Sequence, residues 1–403
     1  MSKVPDAAAY LSPYVTLPAV REGMNLPKQV LITDCTTREG EQAADVSFGV
    51  EEKLGIIRRL DVMGIHQVQC GYPFKSRVDR ETMQALKSEN LKCKTEVIAQ
   101  VFVEEWHEEI DAAIAVQPDI LDIQFPSSDA RLSLLVKMSR EEAVRRSSDA
   151  VRYAAGRVPV IRYAPTDTTR TNLDFLKQLF EAVLKAGAHR ITVADTAGTA
   201  IPSAIRYLVG QVVQAFQVPV EVHCHNDYGL ALANTLAAVE AGAQVADATI
   251  NGLGERAGNV SLDELILALQ NLYGLRLNVD TSRLFELSAY VAGISGIPVP
   301  PGKPLVGANA FAHKLEGHVH GVLTHPPLYE PLPPETVGNR RRISIGKYSG
   351  RHVIRYKLRE LGLQATDLEL DRIILEVERQ AVAKRNSLSD AEFDAILSGV
   401  LGR

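Results

Sequence analysis

Cysteine is scarce and scattered in this chain. Of 403 residues only Cys35, Cys70, Cys93 and Cys224 carry a thiol, and no two form a C-x-x-C. The chain therefore offers no disulfide framework, and its cysteine usage suits a reducing cytoplasm. A basic excess is missing too: 44 Lys and Arg stand against 49 Asp and Glu, a formal charge of -5. That gives no footprint for nucleic acid. No apolar run approaches the ~18–20 residues of a membrane span. Residues 1–28 hold Pro5, Pro13, Pro18 and Pro27 and no apolar core, so they do not read as a signal peptide. Tandem repeats and low-complexity tracts are absent as well. What remains is 46% hydrophobic and 23% charged, ordinary for a soluble globular protein. The length suffices for one large domain with additional elements.

Between about Lys28 and Gly274 a unit recurs. A short run rich in Val, Ile or Leu is followed by a loop and then a helical pattern. Eight such runs are present: Gln29–Asp34, His66–Gly71, Thr95–Val101, Ile120–Phe125, Val158–Tyr163, His189–Ala194, Val218–Cys224 and Val245–Ile250. The helices between them are equally legible. Val50 to Met63 sets Leu54, Ile56, Ile57 and Leu60 on one stripe before Gly64, and Leu173 to Ala186 repeats the design before Gly187. Eight strand–helix units in about 250 residues predict a (β/α)8 TIM barrel. A doubly wound sheet fits less well, because the glycine-rich loop comes last and Gly252-x-Gly254 lacks the third glycine of a dinucleotide loop. The expected organisation is an N-terminal arm (1–28), a barrel (29–275), and a linker with a helical subdomain (276–403) for a lid or dimer contact.

In a barrel the C-terminal ends of all strands share one face, and chemistry gathers there. The first strand delivers Asp34, Thr37, Arg38, Glu39, Glu41 and Gln42 to that face. Gln69, Tyr72 and Gln100 follow from the second and third. The fourth gives Ser127 to Asp129, the fifth Arg162, Asp167 and Arg170, and the sixth Asp195 and Thr196. The seventh ends in Val222-His-Cys-His-Asn-Asp227 and the eighth in Gly252-Leu-Gly-Glu-Arg-Ala-Gly-Asn259. Alternate residues of a strand share a face, so His223 and His225 point together and Cys224 away. A bare His-x-His pair is commonly just surface or core. Here Glu39 completes a donor set of two imidazoles and a carboxylate, with Arg38 beside it to meet developing negative charge.

Beyond Gly274 the rhythm changes. Ser282 to Val291 is helical, and Ile297 to Pro304 is a stiff proline-rich connector. Phe311 to Gly321 packs His313, His318 and His320 beside Glu316. Two helices close the chain, Leu368 to Lys384 and one opened by the capping box Ser389-x-x-Glu392.

Asp34-Cys-Thr-Thr-Arg-Glu-Gly-Glu-Gln42 resembles the first-strand signature of the metal-dependent barrel acyltransferases and lyases. That family includes isopropylmalate, homocitrate and citramalate synthases and hydroxymethylglutaryl-CoA lyase. His223 to Asp227 and Gly252 to Asn259 resemble its seventh- and eighth-strand signatures, and Asn309 to His318 resembles the post-barrel segment of the synthases. The resemblance spans about residues 29–360 in order. It implies a divalent metal (Zn, Mn, Mg or Co) on Glu39, His223 and His225, with Asn259 as a direct or indirect ligand. It implies condensation of acetyl-CoA with a 2-oxo acid, followed by thioester hydrolysis. Arg38 would hold the ketone oxygen, His318 would take the acetyl proton, and Gln42, Arg162 and Thr196 would contact the acceptor. The synthases exchange the post-barrel segment across a homodimer. Arg-Glu-Gly-Glu-Gln in the first motif and Arg162 in the fifth strand lean toward homocitrate synthase, hence toward an acceptor with a second anion: 2-oxoglutarate, oxaloacetate or phosphonopyruvate.

Several positions depart from the family pattern. Gln69 stands where a glutamate is usual, Gln100 where Arg or His is usual, and Thr166 where a glutamate works with the catalytic histidine. Glu316 or Asp167 is the candidate to supply the missing carboxylate, and Glu316 is assigned a catalytic role on that basis. An isopropylmalate- or citramalate-type synthase and a metal-dependent carbon–carbon lyase stay open as alternatives.

Overall fold

The computed structural model describes residues 7–402. The first six residues of the expected N-terminal arm, and Arg403, lie outside the described residues. Eight parallel strands close into a barrel in sequence order. They are β1 (Leu31–Asp34), β2 (Gln67–Gly71), β3 (Lys94–Gln100), β4 (Ile120–Pro126), β5 (Val160–Thr166), β6 (Arg190–Asp195), β7 (Val220–Cys224) and β8 (Val245–Ala248). Closure runs from Leu31 opposite Val245 to Asp34 opposite Ala248. This is the (β/α)8 TIM barrel that the strand–helix rhythm predicts.

The strands are buried almost end to end, as a parallel sheet wrapped by helices must be. Local signals set the helix ends. Val50–Met63 and Leu173–Ala186 stop at Gly64 (φ 83°) and Gly187 (φ 117°), left-handed positions that glycine fills without strain. Ser139, Thr366 and Ser389 each open a helix with a complete capping box, which satisfies amide groups left orphaned by the first turn.

The chain divides into two compact units. One is Val15–Pro298; the other runs from Val299 to the C-terminal end and includes the N-terminal segment through Tyr14. The first unit thus extends past residues 28 and 275, the boundaries expected from sequence. The second has its own core, in which Val319, Ile354, Leu370, Ile373, Val377 and Leu397 are buried. It contains two helices the hydrophobic rhythm did not announce, Glu316–Thr324 and Arg351–Glu360. Among the described residues, no helix is long and apolar enough to cross a membrane.

Candidate metal and acceptor site at the barrel mouth

The loop after β1 is a tight turn tied at several points. Asp34 Oδ1 accepts the Thr36 amide and Oδ2 the Thr36 hydroxyl, each at 3.0 Å. Thr36 Oγ1 in turn accepts the Ile250 amide at 2.8 Å, joining this loop to the one after β8. Thr37 donates to the Gln69 carbonyl at 2.8 Å. From below, buried Lys53 reaches the Thr37 carbonyl (2.8 Å), Glu41 (2.6 Å) and Asp79. With both sides of the turn tied, Arg38 and Glu39 project into the mouth, 8% and 4% exposed.

There they meet the end of β7. His223 Nε2 and His225 Nε2 lie 3.4 Å apart, and His225 Nε2 lies 3.7 Å from Glu39 Oε1. The three donor atoms cluster within 4.8 Å of one another. Asp247 on β8 accepts from His223 Nδ1 at 2.8 Å. That bond places the proton on Nδ1 and leaves Nε2 free as a donor atom toward the cluster, the usual support for a metal-binding histidine. Glu39 Oε1, His225 Nδ1 and Asn259 Oδ1 are buried without a hydrogen-bond partner, although buried polar atoms are normally satisfied. Asn259 Nδ2 sits 3.2 Å from His223 Nε2, and a half-turn of the amide would present Oδ1 there instead.

Electrostatics keep these groups in ligand form. Burial, then the neighbouring His223, push His225 down to about 3, so its imidazole is neutral at physiological pH. Burial alone would raise Glu39, but the Arg38 guanidinium beside it outweighs that and holds the carboxyl below its usual range. Metal ligands must be deprotonated, and two imidazoles with a carboxylate are a common divalent set. The residues present therefore fit a divalent ion, and Glu39, His223 and His225 would hold it. A second group, Cys35, His223 and Asp247, also clusters. Burial raises the Cys35 thiol well above its ordinary value, which makes it the poorer donor set.

The triad lines a cavity of about 360 Å³. Arg38, Gln42, Gln100, Gln124, Arg131, Thr166 and Thr196 share its wall. Thr196 Oγ1 accepts the Asp167 amide at 2.8 Å and keeps its own proton to donate. A larger cavity, about 610 Å³, opens at the other end of the barrel among Leu31, Ile65, Ile120 and Val160, with no comparable donor set.

Arg162 lies deep in the barrel. It lines the cavity but is 2% exposed and is given over to the barrel interior. Nε donates to Thr192 (2.9 Å), Nη1 to Glu96 (2.8 Å), and Nη2 to Asp247 (2.7 Å), with Glu221 at 3.1 Å from Nη1. Arg190 completes the layer, 3.3 Å from Glu221 and donating to Gln67 at 2.7 Å. Gln69 belongs to the same layer: it accepts from Arg38 and donates to Glu96 (2.6 Å) and Asp122 (3.2 Å). This cluster went unread in the sequence, although its signal was present. Glu96, Asp122, Glu221 and Asp247 each interrupt an otherwise uncharged buried stretch of strand, where a lone charge demands a partner.

Glu316 serves as a helix cap. Its carboxylate accepts the amides of Gly350 (2.9 Å), His352 (2.7 Å) and Val353 (3.3 Å). It caps the helix Arg351–Glu360, where a negative charge satisfies orphan N–H groups and the helix dipole. Asp167 is no freer a replacement for the missing glutamate, being buried and bound by Arg170 at 2.7 Å and by Ser128. His318 lies in the C-terminal unit on Glu316–Thr324, exposed and stacked on Tyr329 with ring centroids 4.2 Å apart.

Fold and donor set together define a class: a TIM barrel with a buried centre of two histidines and a carboxylate at its mouth. The chain belongs to the HMGL-like family, whose model matches residues 29–291; a homocitrate synthase post-HMGL domain-like model matches 305–385. A probable 2-isopropylmalate synthase of Methanopyrus kandleri is 43% identical over 88% of this chain and 70% of its own length. The homocitrate synthase AksA of the same organism is 39% identical over 97% of this chain and 96% of its own. The HMG-CoA lyase of Bacillus subtilis superposes with a TM-score of 0.61 at 19% identity, over 69% of this chain and 97% of that one, which speaks to the fold.

Proposed function

We propose that the protein is an acetyl-CoA:2-oxo acid acyltransferase of the homocitrate synthase type, dependent on a divalent metal. One observation carries the reading: the buried Glu39, His223 and His225 cluster opens onto a cavity walled by Arg38 and Thr196. A divalent ion held there supplies Lewis-acid polarisation of the acceptor's ketone. Arg38 is placed to stabilise negative charge as the ketone oxygen becomes an alkoxide. Thr196 offers its hydroxyl proton to the acceptor carboxylate, and Gln42 lines the same wall. Asn259 closes the donor set from the β8 loop. We assign His318 as the base at the acetyl methyl and, by the same resemblance, a homodimer that exchanges C-terminal segments, working in the cytoplasm. An isopropylmalate-type acceptor is the second reading, favoured by the 43% identity to the Methanopyrus kandleri protein.

The test is release of free CoA thiol by metal-loaded protein with acetyl-CoA and each of 2-oxoglutarate, oxaloacetate, phosphonopyruvate, pyruvate and 2-oxoisovalerate. Turnover that needs a 2-oxo acid and disappears in Glu39→Ala supports the assignment. Acetyl-CoA formation from a hydroxyacyl-CoA, with no thiol released in the forward direction, would move the protein to the lyases.

A further inference from the structure

Within that reading, an acceptor carrying a second anion needs a cation at the far side of the cavity. Arg162 is the expected one, and its surroundings disqualify it. Two guanidinium groups, Arg162 and Arg190, face four carboxylates: Glu96, Asp122, Glu221 and Asp247. The Nε, Nη1 and Nη2 of Arg162 are each already engaged, by Thr192, Glu96 with Glu221, and Asp247 at 2.7–3.1 Å, so a second anion brought to Arg162 would have to displace partners already in place. Drawing Arg162 out would also strand buried carboxylates, which is among the costlier changes a core can suffer.

Arg131 is in the opposite position. It stands at the end of the β4 loop on the wall of the metal cavity, with its side chain 32% exposed. Its contacts are long: Nη1 to the Thr166 hydroxyl at 3.4 Å and Nε to Asp167 at 3.5 Å. Asp167 is already bound at 2.7 Å by Arg170 and by the Ser128 hydroxyl, so Arg131 is the surplus cation of that group. Nη2 has no partner among the described residues. Thr166 matters here: no carboxylate at that position neutralises Arg131. The other cations of the wall are spoken for. Arg38 pairs with Glu39, and Arg256 makes a two-pronged pair with Asp227 at 2.8 and 2.9 Å.

We propose that Arg131, not Arg162, reads the distal anionic group of the acceptor, a carboxylate or phosphonate carried on a metal-bound 2-oxo acid. A planar guanidinium with open N–H groups takes either anion in a bidentate manner. Gln42 and Gln100, neutral side chains on the same wall, add hydrogen bonding without repelling it.

The test separates this assignment from the condensing reaction. Acceptor binding to the metal-loaded full chain, without acetyl-CoA, is measured by calorimetry for the parent, Arg131→Gln, Arg131→Lys and Arg162→Gln. Arg131→Gln should weaken 2-oxoglutarate or phosphonopyruvate about tenfold or more, the scale of one charge-assisted pair, and leave 2-oxoisovalerate and pyruvate within about twofold. Arg131→Lys should restore part of the loss. Arg162→Gln should lower thermal stability and weaken all acceptors alike. Whichever of 2-oxoglutarate and phosphonopyruvate is bound more tightly identifies the anion. A parent that binds no doubly anionic acceptor more tightly than pyruvate, or a selective loss in Arg162→Gln with Arg131→Gln silent, overturns the proposal. Arg131-dependent binding with no thiol release leaves the anion site standing and removes the condensing reaction. Thiol release indifferent to Arg131→Gln does the reverse.

Discussion

At His223 the position of one proton decides what the neighbouring cavity can hold. Asp247 accepts from Nδ1, so Nε2 faces Glu39 and His225 unprotonated. Asp247→Asn keeps the shape but loses the charge that makes the imidazole basic. It should weaken divalent-metal affinity about 10- to 100-fold, read by titration with Mn, Co or Zn. Glu39→Ala, which removes one donor of the cluster, should abolish stoichiometric metal altogether. An Asp247→Asn protein that binds metal like the parent would show that the orientation of His223 is set elsewhere. The residues of the donor cluster were legible as candidates because each belongs to a short local motif: Arg38-Glu39, His223-x-His225, and the glycine loop ending at Asn259. Arg131 was not, because its meaning depends on Thr166 and Asp167, which lie 35 or more residues away in sequence and next to it only in the folded β4–β5 corner. The cap that Glu316 makes was hidden for a related reason: the amides it accepts, those of Gly350 and His352, lie 34 and 36 residues away in sequence.

Within the elements, the barrel strands lie within a few residues of where apolar runs and their glycine stops put them. Burial of both strand faces writes a continuous signal into the sequence. The charged layer inside the barrel left a weaker trace, because its partners sit on different strands. Gln69 on β2 exposes the difference. Its amide donates to Glu96 and Asp122 while its carbonyl accepts from Arg38, so a neutral group that both donates and accepts suits this position. In Gln69→Glu the new carboxyl can donate only when protonated, and burial beside two acids raises its folded pKa above the unfolded value of about 4.3. The sign follows. Near pH 4.5 the variant is protonated and close to parental stability. As pH rises the folded state must either retain a proton the unfolded state has lost or bury a further charge, so stability falls relative to parent. By pH 8 we expect a deficit of about 1–3 kcal/mol, measured by urea unfolding at both pH values. Equal deficits at the two would mean steric damage instead. The β8 loop yields to a simpler change. Gly258 has φ 86°, and a Cβ there would run into the Gly252 carbonyl. Gly258→Ala should therefore displace Asn259 and cost metal affinity as well as stability.

Across the whole molecule, two buried groups titrate against each other. Burial raises Asp34 to about 7, against about 3.9 in an unfolded chain. Between those values the folded state holds a proton that the unfolded state releases, so this group makes stability fall as pH rises. His225, pushed down to about 3 by burial and by His223, works the other way. From pH 3 to about 6.5 the unfolded chain takes up a proton that the folded state refuses, so this group makes stability rise with pH. Each contributes a slope of about 1.4 kcal/mol per pH unit where fully engaged, and the windows overlap between about pH 4 and 6.5. The two effects largely cancel in the metal-free parent, which hides both. Removing one should uncover the other. In chelator-treated protein, Asp34→Asn should gain stability over the parent steadily from pH 4 to 7, whereas His225→Gln should lose its relative advantage across pH 3.5 to 6.5. Denaturant midpoints of the three proteins across that range decide it. A flat Asp34→Asn difference curve would mean that Asp34 stays ionised in the fold, held by the Thr36 amide and hydroxyl despite its burial.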